Sequence, residues 1–545
     1  MAPFAHLRHG HDQRLTAMRG PVQSSENFRP LETPMPGSFR TPTDQTTSIA
    51  HMLWDAASRN GSQLAISERD RSTTYDALRA HAAAVAGDLV ARGVRPRDRV
   101  AIFLERGADA AAAYFGAVAA GCIVTFINER MRPRQLEYVL GHTSAAVLIT
   151  SAEMLSRQPR AIQADAAVVD IADIPAAGVF EPVPMAGDQL VQLVYTSGST
   201  GLPKGVAFTH ANVWSAIQAI TAYLGLTNDD RIASLIPFSS VYGLNQMLCA
   251  ITMGAVLVVE RSPIAHQILS GLRESAATVL AAVPPLWVQL LAVPAFASEP
   301  LPSLRLLQNA GGHLPTDAVR RIRQAYPRAR LYLQYGMTET FRSTFLAPEE
   351  VDRRPDSMGK AIPGAEVFVL REDGTECDPD EVGELVHRGP TVAAGYWNDP
   401  EMTSRVFRPF PMSAGSADAG ERVVFSGDLV RRDADGYLYY VSRRDRLIKS
   451  LGFRIGPDEI VDVLFASGEI LEAVVTTEPD DQRGERVIAH VVLVDEGSLE
   501  RLERFCRVEL PRHMQPARIE VRAEMPRLAS GKYDLAGLRT SRVTT

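Results

Sequence analysis

The chain has 545 residues, of which 46% are hydrophobic and 22% charged, enough apolar material for a large core and more than one domain. Its formal net charge of -7 provides no broad basic field for nucleic acid or an anionic membrane, so an anionic ligand must be held locally. Four cysteines lie far apart with no CxxC pair, which argues against a disulfide framework or a zinc site and favours a reducing compartment.

Residues 1–46 are rich in Pro, Ser, Thr and Arg and lack apolar periodicity, which predicts a poorly ordered extension. The first residues contain no continuous apolar stretch of the kind found in secretory signals, so we expect a cytoplasmic protein. The uncharged segment 110–127 has about the minimum length of a membrane-spanning helix. Its Ala and Gly content, with the polar Thr125, predicts a buried helix and a buried strand instead, and no membrane span.

Between residues 49 and 441, apolar strand-like runs such as 99–104 and 191–196 alternate with amphipathic helical stretches such as 75–93. This alternation predicts α/β layers with buried strands. The last hundred residues differ. A helix is predicted to begin at Pro457, followed by two β-branched runs and a second helix over 498–510, which together indicate a small α+β domain.

The stretch YTSGSTGLPKGV (195–206) follows an apolar strand and precedes a helical segment at 210–224. We therefore predict a loop at a strand-to-helix junction, where backbone N–H groups favour an anion. A polyphosphate suits its side chains, because hydroxyl donors, two close-approach glycines and one cation follow one another: Thr196, Ser197, Gly198, Ser199, Thr200, Gly201 and Lys204. The Gly-Lys-Ser/Thr ending of a Walker A loop is missing, so this is another kind of phosphate loop.

Four further motifs follow in order: QYGMTE (334–339), GELVHRGPTVAAGYWNDPE (383–401), SGDLVRRDADGYLYYVSRRDRLIKSLGFRIGPDEI (426–460) and PRLASGKYDL (526–535). With the loop, this set resembles the adenylate-forming superfamily of acyl-CoA synthetases, peptide-synthetase adenylation domains and luciferases. The resemblance implies an α/β fold with a large ATP- and acyl-binding domain of layered sheets and helices over 47–444. A small mobile α+β lid domain over 445–545 would follow a hinge at Asp445.

The resemblance also implies an AMP-forming acid–thiol ligase working in two half-reactions. A carboxylate attacks the α-phosphate of Mg-ATP and expels pyrophosphate; a thiol then attacks the acyl-adenylate and expels AMP. The thiol would be CoA or the phosphopantetheine of an acyl carrier protein. Residues from Thr196 to Lys204 would hold the β- and γ-phosphates, Tyr335 would stack on adenine, Thr338 would contact the α-phosphate, and Glu339 would hold Mg²⁺.

The remaining motif residues receive roles in the same way. Asp428 resembles the carboxylate that accepts the ribose hydroxyls, and Arg443 the arginine that reaches ribose and phosphates. Lys532 resembles the catalytic lysine, a cation that offsets repulsion between the carboxylate and the α-phosphate. The thiol tunnel would be formed by Gly452, Phe453 and Arg454. Ser442 departs from the family pattern, which often has glycine before this arginine.

The acyl pocket is predicted beside the ATP site from two segments, and its expected residues are Val241, Tyr242, Gly243, Leu244, Gly311 and His313, with Gly312 facing ATP. Amino-acid-activating relatives place an aspartate where this chain has Val241, so an α-amino acid is disfavoured and an apolar carboxylic acid is expected. Ser240 stands where many acyl-CoA synthetases carry a histidine or aromatic gate.

Three functions stay open at this point. The first is an acyl- or aryl-CoA ligase, and the second a stand-alone adenylating enzyme that loads a carrier protein. The two thiols have the same arm, so the motifs barely separate them. The third is a degenerate nucleotide-binding protein without turnover, against which stands the intact set of Lys204, Glu339, Asp428, Arg443 and Lys532.

Overall fold

The computed structural model describes residues 48–196, 203–411, 421–444, 446, 448–450, 453–480, 484–528 and 533–540. The predicted extension 1–46 lies outside these described residues. The helices are α1 (His51–Asn60), α2 (Tyr75–Ala91), α3 (Ala108–Ala119), α4 (Pro133–Thr143), α5 (Ala152–Ser156), α6 (His210–Leu224), α7 (Val241–Met253), α8 (Ala265–Glu274), α9 (Pro284–Leu291), α10 (Pro294–Ser298), α11 (Thr316–Ala325), α12 (Pro400–Val406), α13 (Pro457–Ala466), α14 (Leu499–Glu509) and α15 (Leu535–Thr540).

The strands, numbered in chain order, are β1 (Leu64–Ser67), β2 (Ser72–Thr74), β3 (Arg99–Ile102), β4 (Ile123–Phe126), β5 (Val147–Thr150), β6 (Ala167–Asp170), β7 (Leu190–Thr196), β8 (Lys204–Thr209), β9 (Arg231–Ser234), β10 (Val256–Val259), β11 (Val279–Ala282), β12 (Leu306–Asn309), β13 (Arg330–Tyr335), β14 (Thr344–Leu346), β15 (Ser357–Ala361), β16 (Glu366–Leu370), β17 (Val382–Arg388), β18 (Gly395–Tyr396), β19 (Phe407–Pro409), β20 (Arg422–Arg432), β21 (Leu438–Arg443), β22 (Ile448–Ser450), β23 (Phe453–Ile455), β24 (Ile470–Asp480), β25 (Gly484–Leu493) and β26 (Arg518–Val521).

Within the described part of the chain these strands form three sheets. The first has the order β16-β17-β20-β21-β15-β14-β13-β12-β11-β9-β10-β1-β2, with β19 paired to β20. Its run from β13 to β1 is parallel. The second has the order β18-β8-β7-β4-β3-β5-β6. The third, near the C-terminus, has the order β23-β22-β25-β24, with β26 paired to β25. The α/β prediction is confirmed.

Helices cover the parallel strands and complete the core. Trp287 of α9 and Ile322 of α11 are both 0% exposed and pack with Leu307 of β12. A separate hydrophobic core lies in the C-terminal segment, where Ile460 of α13 and Leu502 of α14 pack against the third sheet. The large parallel sheet and the small C-terminal sheet therefore each have a hydrophobic core of their own.

Segment 110–127 forms most of α3 and the buried strand β4, as its composition predicts. Among the described residues, no helix is both long and apolar enough to cross a membrane. The four cysteines are all buried and free: Cys122, Cys249, Cys377 and Cys506.

One expectation about the phosphate loop is wrong. The loop does not run from a strand into a helix, because β8 intervenes and pairs antiparallel with β7, Thr196 opposite Lys204. The continuous buried run 205–208 lies within this strand, and α6 begins only after it, with Thr209 as its N-cap. An anion at this loop would therefore meet a β-hairpin tip and not a helix N-terminus.

Candidate active site

Two ends of the phosphate loop are described, and they place one cation at the hairpin tip. Thr196 ends β7, and Lys204 begins β8 with a half-buried side chain. The Lys204 ammonium lies 4.0 Å from the Met402 sulfur, and no carboxylate of the described residues pairs with it. Its charge is therefore available for an anion. The other predicted loop residues, Ser197, Gly198, Ser199, Thr200 and Gly201, lie outside the described residues.

A buried carboxylate in the middle of β20 lies between a phenol at the end of β13 and a guanidinium at the end of β21. Asp428, 4% exposed, accepts a hydrogen bond through Oδ2 from the hydroxyl of Tyr335, the last residue of β13. Its Oδ1 lies 3.2 Å from Nε of Arg443, its cross-strand partner on β21. Burial raises the pKa of Tyr335 well above its usual value, and the charge of Asp428 adds to this. The phenol thus stays protonated and donates.

The backbone turn before Asp428 is held by a residue that motif comparison did not single out. Gly427 has φ +71, a left-handed conformation that favours glycine. Its N–H donates to Oε1 of Glu384 at 3.0 Å, and Oε2 of Glu384 accepts from Arg444 at 2.9 Å. Glu384 lies in the quoted GEL motif, so its position was visible in the sequence, but its contact across β17 and β20 was not.

The other face of Tyr335 contacts His387 of β17. Their rings are nearly parallel, with an interplanar angle of 12° and centroids 6.0 Å apart. His387 is buried, and neither ring nitrogen has a hydrogen-bond partner among the described residues. Burial lowers the pKa of His387 to about 3. The histidine is therefore a neutral ring that supports the tyrosine.

Glu339 is held by a tyrosine from a distant motif. It lies in a short 3-10 helix, Thr338–Thr340, which follows β13. The Tyr396 hydroxyl donates to Oε1 of Glu339 at 2.5 Å. Tyr396 belongs to β18, whose partner β8 begins with Lys204. This pairing brings the predicted magnesium carboxylate beside the strand that carries the phosphate-loop cation.

The donor chemistry at Glu339 fits the magnesium ion of Mg-ATP. Mg²⁺ is usually held by one or two carboxylates together with substrate phosphates and water. Oε2 of Glu339 accepts no hydrogen bond from the described residues, and Thr338 lies next to it. Within the same residues, no group of three or more His, Cys, Asp or Glu side chains could hold a metal ion. Glu339 would therefore hold the ion together with phosphate oxygens of the nucleotide.

Glu339→Gln is expected to lower the rate of acyl-adenylate formation about tenfold or more, because the amide keeps the shape but loses the charge that Mg²⁺ requires. Pyrophosphate exchange at saturating Mg²⁺ measures this. Thermal unfolding should change little. The matched control is Glu401→Gln, since the Glu401 side chain is 76% exposed and pairs only with Arg405 on its own helix. An unchanged exchange rate in Glu339→Gln would remove Glu339 from the metal site.

The predicted acyl-pocket residues begin α7. Ser240 is the N-cap of this helix, and its Oγ accepts from the N–H of Gly243 at 3.1 Å. A hydroxyl at this position thus has a structural role. Gly243 packs directly on backbone, because a Cβ there would meet the Pro237 carbonyl oxygen at 2.1 Å. Val241 and Leu244 are buried, and the Tyr242 hydroxyl donates to the Gln308 carbonyl at 3.3 Å.

The second predicted wall of the pocket follows β12. Gly311 has φ +85, so the chain turns sharply at the carboxyl end of a parallel strand, where ligands bind in open α/β sheets. Asn309 closes this turn by donating to the carbonyl of Gly312 at 3.3 Å. Because the Tyr242 hydroxyl contacts Gln308 of β12, the start of α7 lies near the turn that contains the two glycines.

His313 has a partner in the C-terminal segment. Its Nε2 lies 3.0 Å from Oδ1 and 3.2 Å from Oδ2 of Asp462, on α13. Burial alone would lower the pKa of His313, but the hydrogen bond and charge of Asp462, with Asp458 and Asp356, outweigh it and raise this pKa to about 9. The imidazolium form is therefore the main form at neutral pH, and it joins the two parts of the chain.

An NMR titration of His313 should give a pKa near 9, and Asp462→Asn should lower it toward or below about 6.5, the ordinary value of histidine. Because the folded-state pKa is raised, the pair stabilises fully below pH 6.5 and loses its effect as pH rises through about 9. His142 is the internal control, since burial lowers its pKa and Asp462 does not contact it. If the pKa of His313 were the same in Asp462→Asn as in the unmodified protein, the pairing of His313 with Asp462 would be contradicted.

Several predicted site residues cannot be placed. Lys532, Asp445 and Gly452 lie outside the described residues. The backbone of Phe453 and Arg454 belongs to β23. The structure also shows contacts that the motifs did not single out. Glu384 contacts Gly427, Tyr396 contacts Glu339, and His387 stacks on Tyr335. Asp462 is the partner of His313.

Comparison with known proteins gives a family. The model of the AMP-binding enzyme family matches residues 53–397, and that of the AMP-binding enzyme C-terminal domain matches residues 459–532. The chain is 28% identical to a linear gramicidin synthase of Brevibacillus parabrevis over 90% of its own length, but it spans only 10% of that protein.

Two further relatives match over nearly their whole length. One is an L-proline–[L-prolyl-carrier protein] ligase of Pseudomonas fluorescens, 28% identical over 87% of this chain and 95% of that protein. The other is the solved structure of an o-succinylbenzoate coenzyme A synthetase from Bacillus subtilis with ATP and a magnesium ion. It is 26% identical, has a TM-score of 0.76, and covers 88% of this chain and 98% of that one. The chain therefore belongs to the AMP-binding enzyme family.

Proposed function

We propose that the protein is an AMP-forming acid–thiol ligase. It activates a carboxylic acid with Mg-ATP and then transfers the acyl group to a thiol, with CoA as the acceptor. The observation that carries this proposal is the contact of Asp428 with both Tyr335 and Arg443. In addition, Glu339 accepts a hydrogen bond from Tyr396 of β18. Strand β18 pairs with β8, which begins with Lys204. A buried carboxylate with donors around it suits a ribose, and the separate cation suits a phosphate chain.

Three of the candidate site residues act in the first half-reaction. Tyr335, supported by His387, offers a ring for the adenine. The Asp428 oxygens already accept from Tyr335 and pair with Arg443, but each carboxylate oxygen has a further lone pair for a ribose hydroxyl. Lys204 would neutralise the outer phosphates.

The bond changes follow from this arrangement. A substrate carboxylate oxygen attacks the α-phosphorus, the bond from the α-phosphorus to the bridging oxygen breaks, and pyrophosphate leaves with the electron pair. Two anions approach each other in this step, which is why the family resemblance assigns a cation, Lys532, to the reacting atoms. In the second step the thiolate sulfur attacks the acyl carbon and AMP leaves. We propose that the C-terminal segment turns at Asp445 between these two steps.

A carrier-protein phosphopantetheine is the second candidate acceptor. It is favoured by the similarity to a prolyl-carrier protein ligase that the chain matches over 95% of its length. Mass spectrometry of the thioester, formed with free CoA in one reaction and with a phosphopantetheinylated carrier protein in the other, separates the two. Formation of neither thioester, after pyrophosphate release, would contradict a thiol ligase.

ATP–pyrophosphate exchange with a panel of carboxylic acids tests the first half-reaction. We expect exchange with acids that lack an α-amino group and hardly any with α-amino acids, because Val241 is a buried apolar residue and cannot pair with an ammonium group. The matched variant is Val241→Asp, which should raise exchange with amino acids relative to the other acids. Robust exchange of the unmodified protein with a common amino acid would refute this pocket assignment, and no exchange with any acid would refute the ligase itself.

A further inference from the structure

A buried arginine follows the Thr338–Thr340 turn. The side chain of Arg342 belongs to a residue that is 3% exposed. Its Nη1 donates to the Gln334 side-chain oxygen, and its Cζ lies 4.9 Å from the centre of the Tyr242 ring. Among the described residues, no Asp or Glu forms an ion pair with it. Arginine is almost never fully buried unless it is paired, because desolvating a lone charge is costly.

The backbone at this arginine is in a conformation that costs energy. Phe341, the preceding residue, has φ +62, which is uncommon for a bulky side chain. Its ring is buried and packs edge to face on Phe208, with centroids 4.9 Å apart. Strained positions of this kind persist when packing enforces them, and they are concentrated at binding sites. The packing of Phe341 therefore fixes the backbone directly before Arg342, whose side chain is buried.

The groups around Arg342 do not supply a counter-charge. Tyr242 and Tyr223 are phenols and Cys249 is a thiol, and burial raises the pKa of all three well above neutrality. These groups are uncharged at pH 7. Within the described part of the chain, the guanidinium is thus a buried cation surrounded by neutral groups, with one hydrogen bond to an amide oxygen.

A second buried polar side chain without a partner among the described residues lies on the face of α7 that carries Tyr242. Gln246 is one helical turn after Tyr242 on α7, and Cys249 continues the same face. The Gln246 residue is 5% exposed, and neither its amide oxygen nor its amide nitrogen has a hydrogen-bond partner among the described residues. A buried amide without partners loses hydrogen-bond energy unless a ligand or water supplies it.

We propose that Arg342 and Gln246 bind a second carboxylate on the acyl substrate, so that the acid is a dicarboxylic acid activated at one end. This proposal rests on the proposed ligase function and deepens it. The arginine fork matches a carboxylate in two parallel hydrogen bonds. A carboxylate at this position removes the unpaired charge, whereas an apolar acyl chain would leave it buried. The sequence predicted an apolar acid from Val241 and Leu244, because the burial of Arg342 beside Tyr242 is not visible in the sequence.

The test uses ATP–pyrophosphate exchange with α,ω-dicarboxylic acids of increasing length, each compared with its own monomethyl ester. For the preferred length, the ratio of kcat/KM for diacid over ester should be on the order of 10², the scale of a lost charged hydrogen-bond pair. Arg342→Met should bring this ratio close to one by lowering the value for the diacid, and Gln246→Leu should lower it in part. The dissociation constant of ATP should not change.

Controls keep the outcomes separate. Arg342→Lys retains the charge and should retain part of the preference, and circular dichroism shows whether each variant is folded. Arg330→Met is the matched control, because Arg330 is an exposed arginine 5.3 Å from the Tyr332 ring centre, and it should leave the ratio unchanged. Equal use of diacids and esters by the unmodified protein overturns this inference while the ligase function stands. An equal loss with every acid in Arg342→Met also overturns it. No exchange with any acid refutes the ligase function instead.

Discussion

Replacing Lys532 with alanine is expected to lower the rate of acyl-adenylate formation by a factor on the order of 10²–10³, the scale of removing one preorganised charge-stabilising group. The reason is electrostatic. Only while the substrate carboxylate approaches the α-phosphate do two anions have to share a small volume. Thiol attack on supplied acyl-adenylate does not pass through that arrangement, and thioester yield from synthetic acyl-adenylate should survive. Pyrophosphate exchange and thioester yield, measured separately, check both halves.

The control for this experiment is Lys360→Ala, since Lys360 is an exposed lysine whose ammonium lies 4.3 Å from the Tyr437 ring centre. Asp445→Pro should have the opposite effect to Lys532→Ala, because proline fixes φ near about -65° and removes a backbone donor. Adenylation would then persist while thioester formation fails. A parallel loss of both half-reactions in the two folded variants would show that domain alternation is not how this chain works.

Asp428→Asn should weaken ATP binding by a factor on the order of 10², because a charged acceptor for the ribose hydroxyls becomes a neutral one. The variant also changes the protein itself. Asp428 is 4% exposed and pairs with Arg443, so the Arg443 guanidinium loses this counter-charge and thermal stability should fall. Isothermal titration with ATP gives the binding change, and thermal unfolding gives the stability change.

The comparison variant is Tyr335→Phe, which keeps the ring and removes the hydroxyl that donates to Asp428. It should weaken ATP binding much less than Asp428→Asn. In the double variant the two losses should be less than additive, because both variants change the same hydrogen bond: Tyr335→Phe removes its donor and Asp428→Asn removes the charge of its acceptor. Strictly additive losses, or unchanged ATP affinity in Asp428→Asn, would contradict the assignment of this carboxylate to the ribose.

Much of the nucleotide side could be predicted because its residues belong to short motifs whose order is readable. Tyr335 comes from one motif and Asp428 and Arg443 from another, and the structure brings all three together. The elements themselves were also readable: the helix over 210–224 is α6, and the helix at 457 is α13. Local spacing and capping determine such elements, so a single sequence contains enough information to locate them.

Long-range pairing is what the sequence did not reveal. Strand β8 was not predicted, because its continuous apolar run 205–208 is short and the glycine and serine loop before it pointed to a strand-to-helix junction. The contacts of Glu339 with Tyr396 and of His313 with Asp462 join residues far apart in the chain. The burial of Arg342 has the same origin, since it depends on which strand ends meet around α7. None of these contacts leaves a periodic signal.

The pairing of Asp428 with Arg443 has a consequence for the stiffness of the chain. These residues face each other on β20 and β21, and the next amide, that of Arg444, still donates to the Gly427 carbonyl at 2.8 Å. If Asp428 binds the ribose, we therefore expect the last backbone hydrogen bonds between β20 and β21 to open less often. The C-terminal segment follows directly after this end of β21. Amide hydrogens at this end of β21 should exchange with deuterium more slowly when ATP is bound. The strand end that precedes the C-terminal segment would then be more rigid with ATP bound than without it.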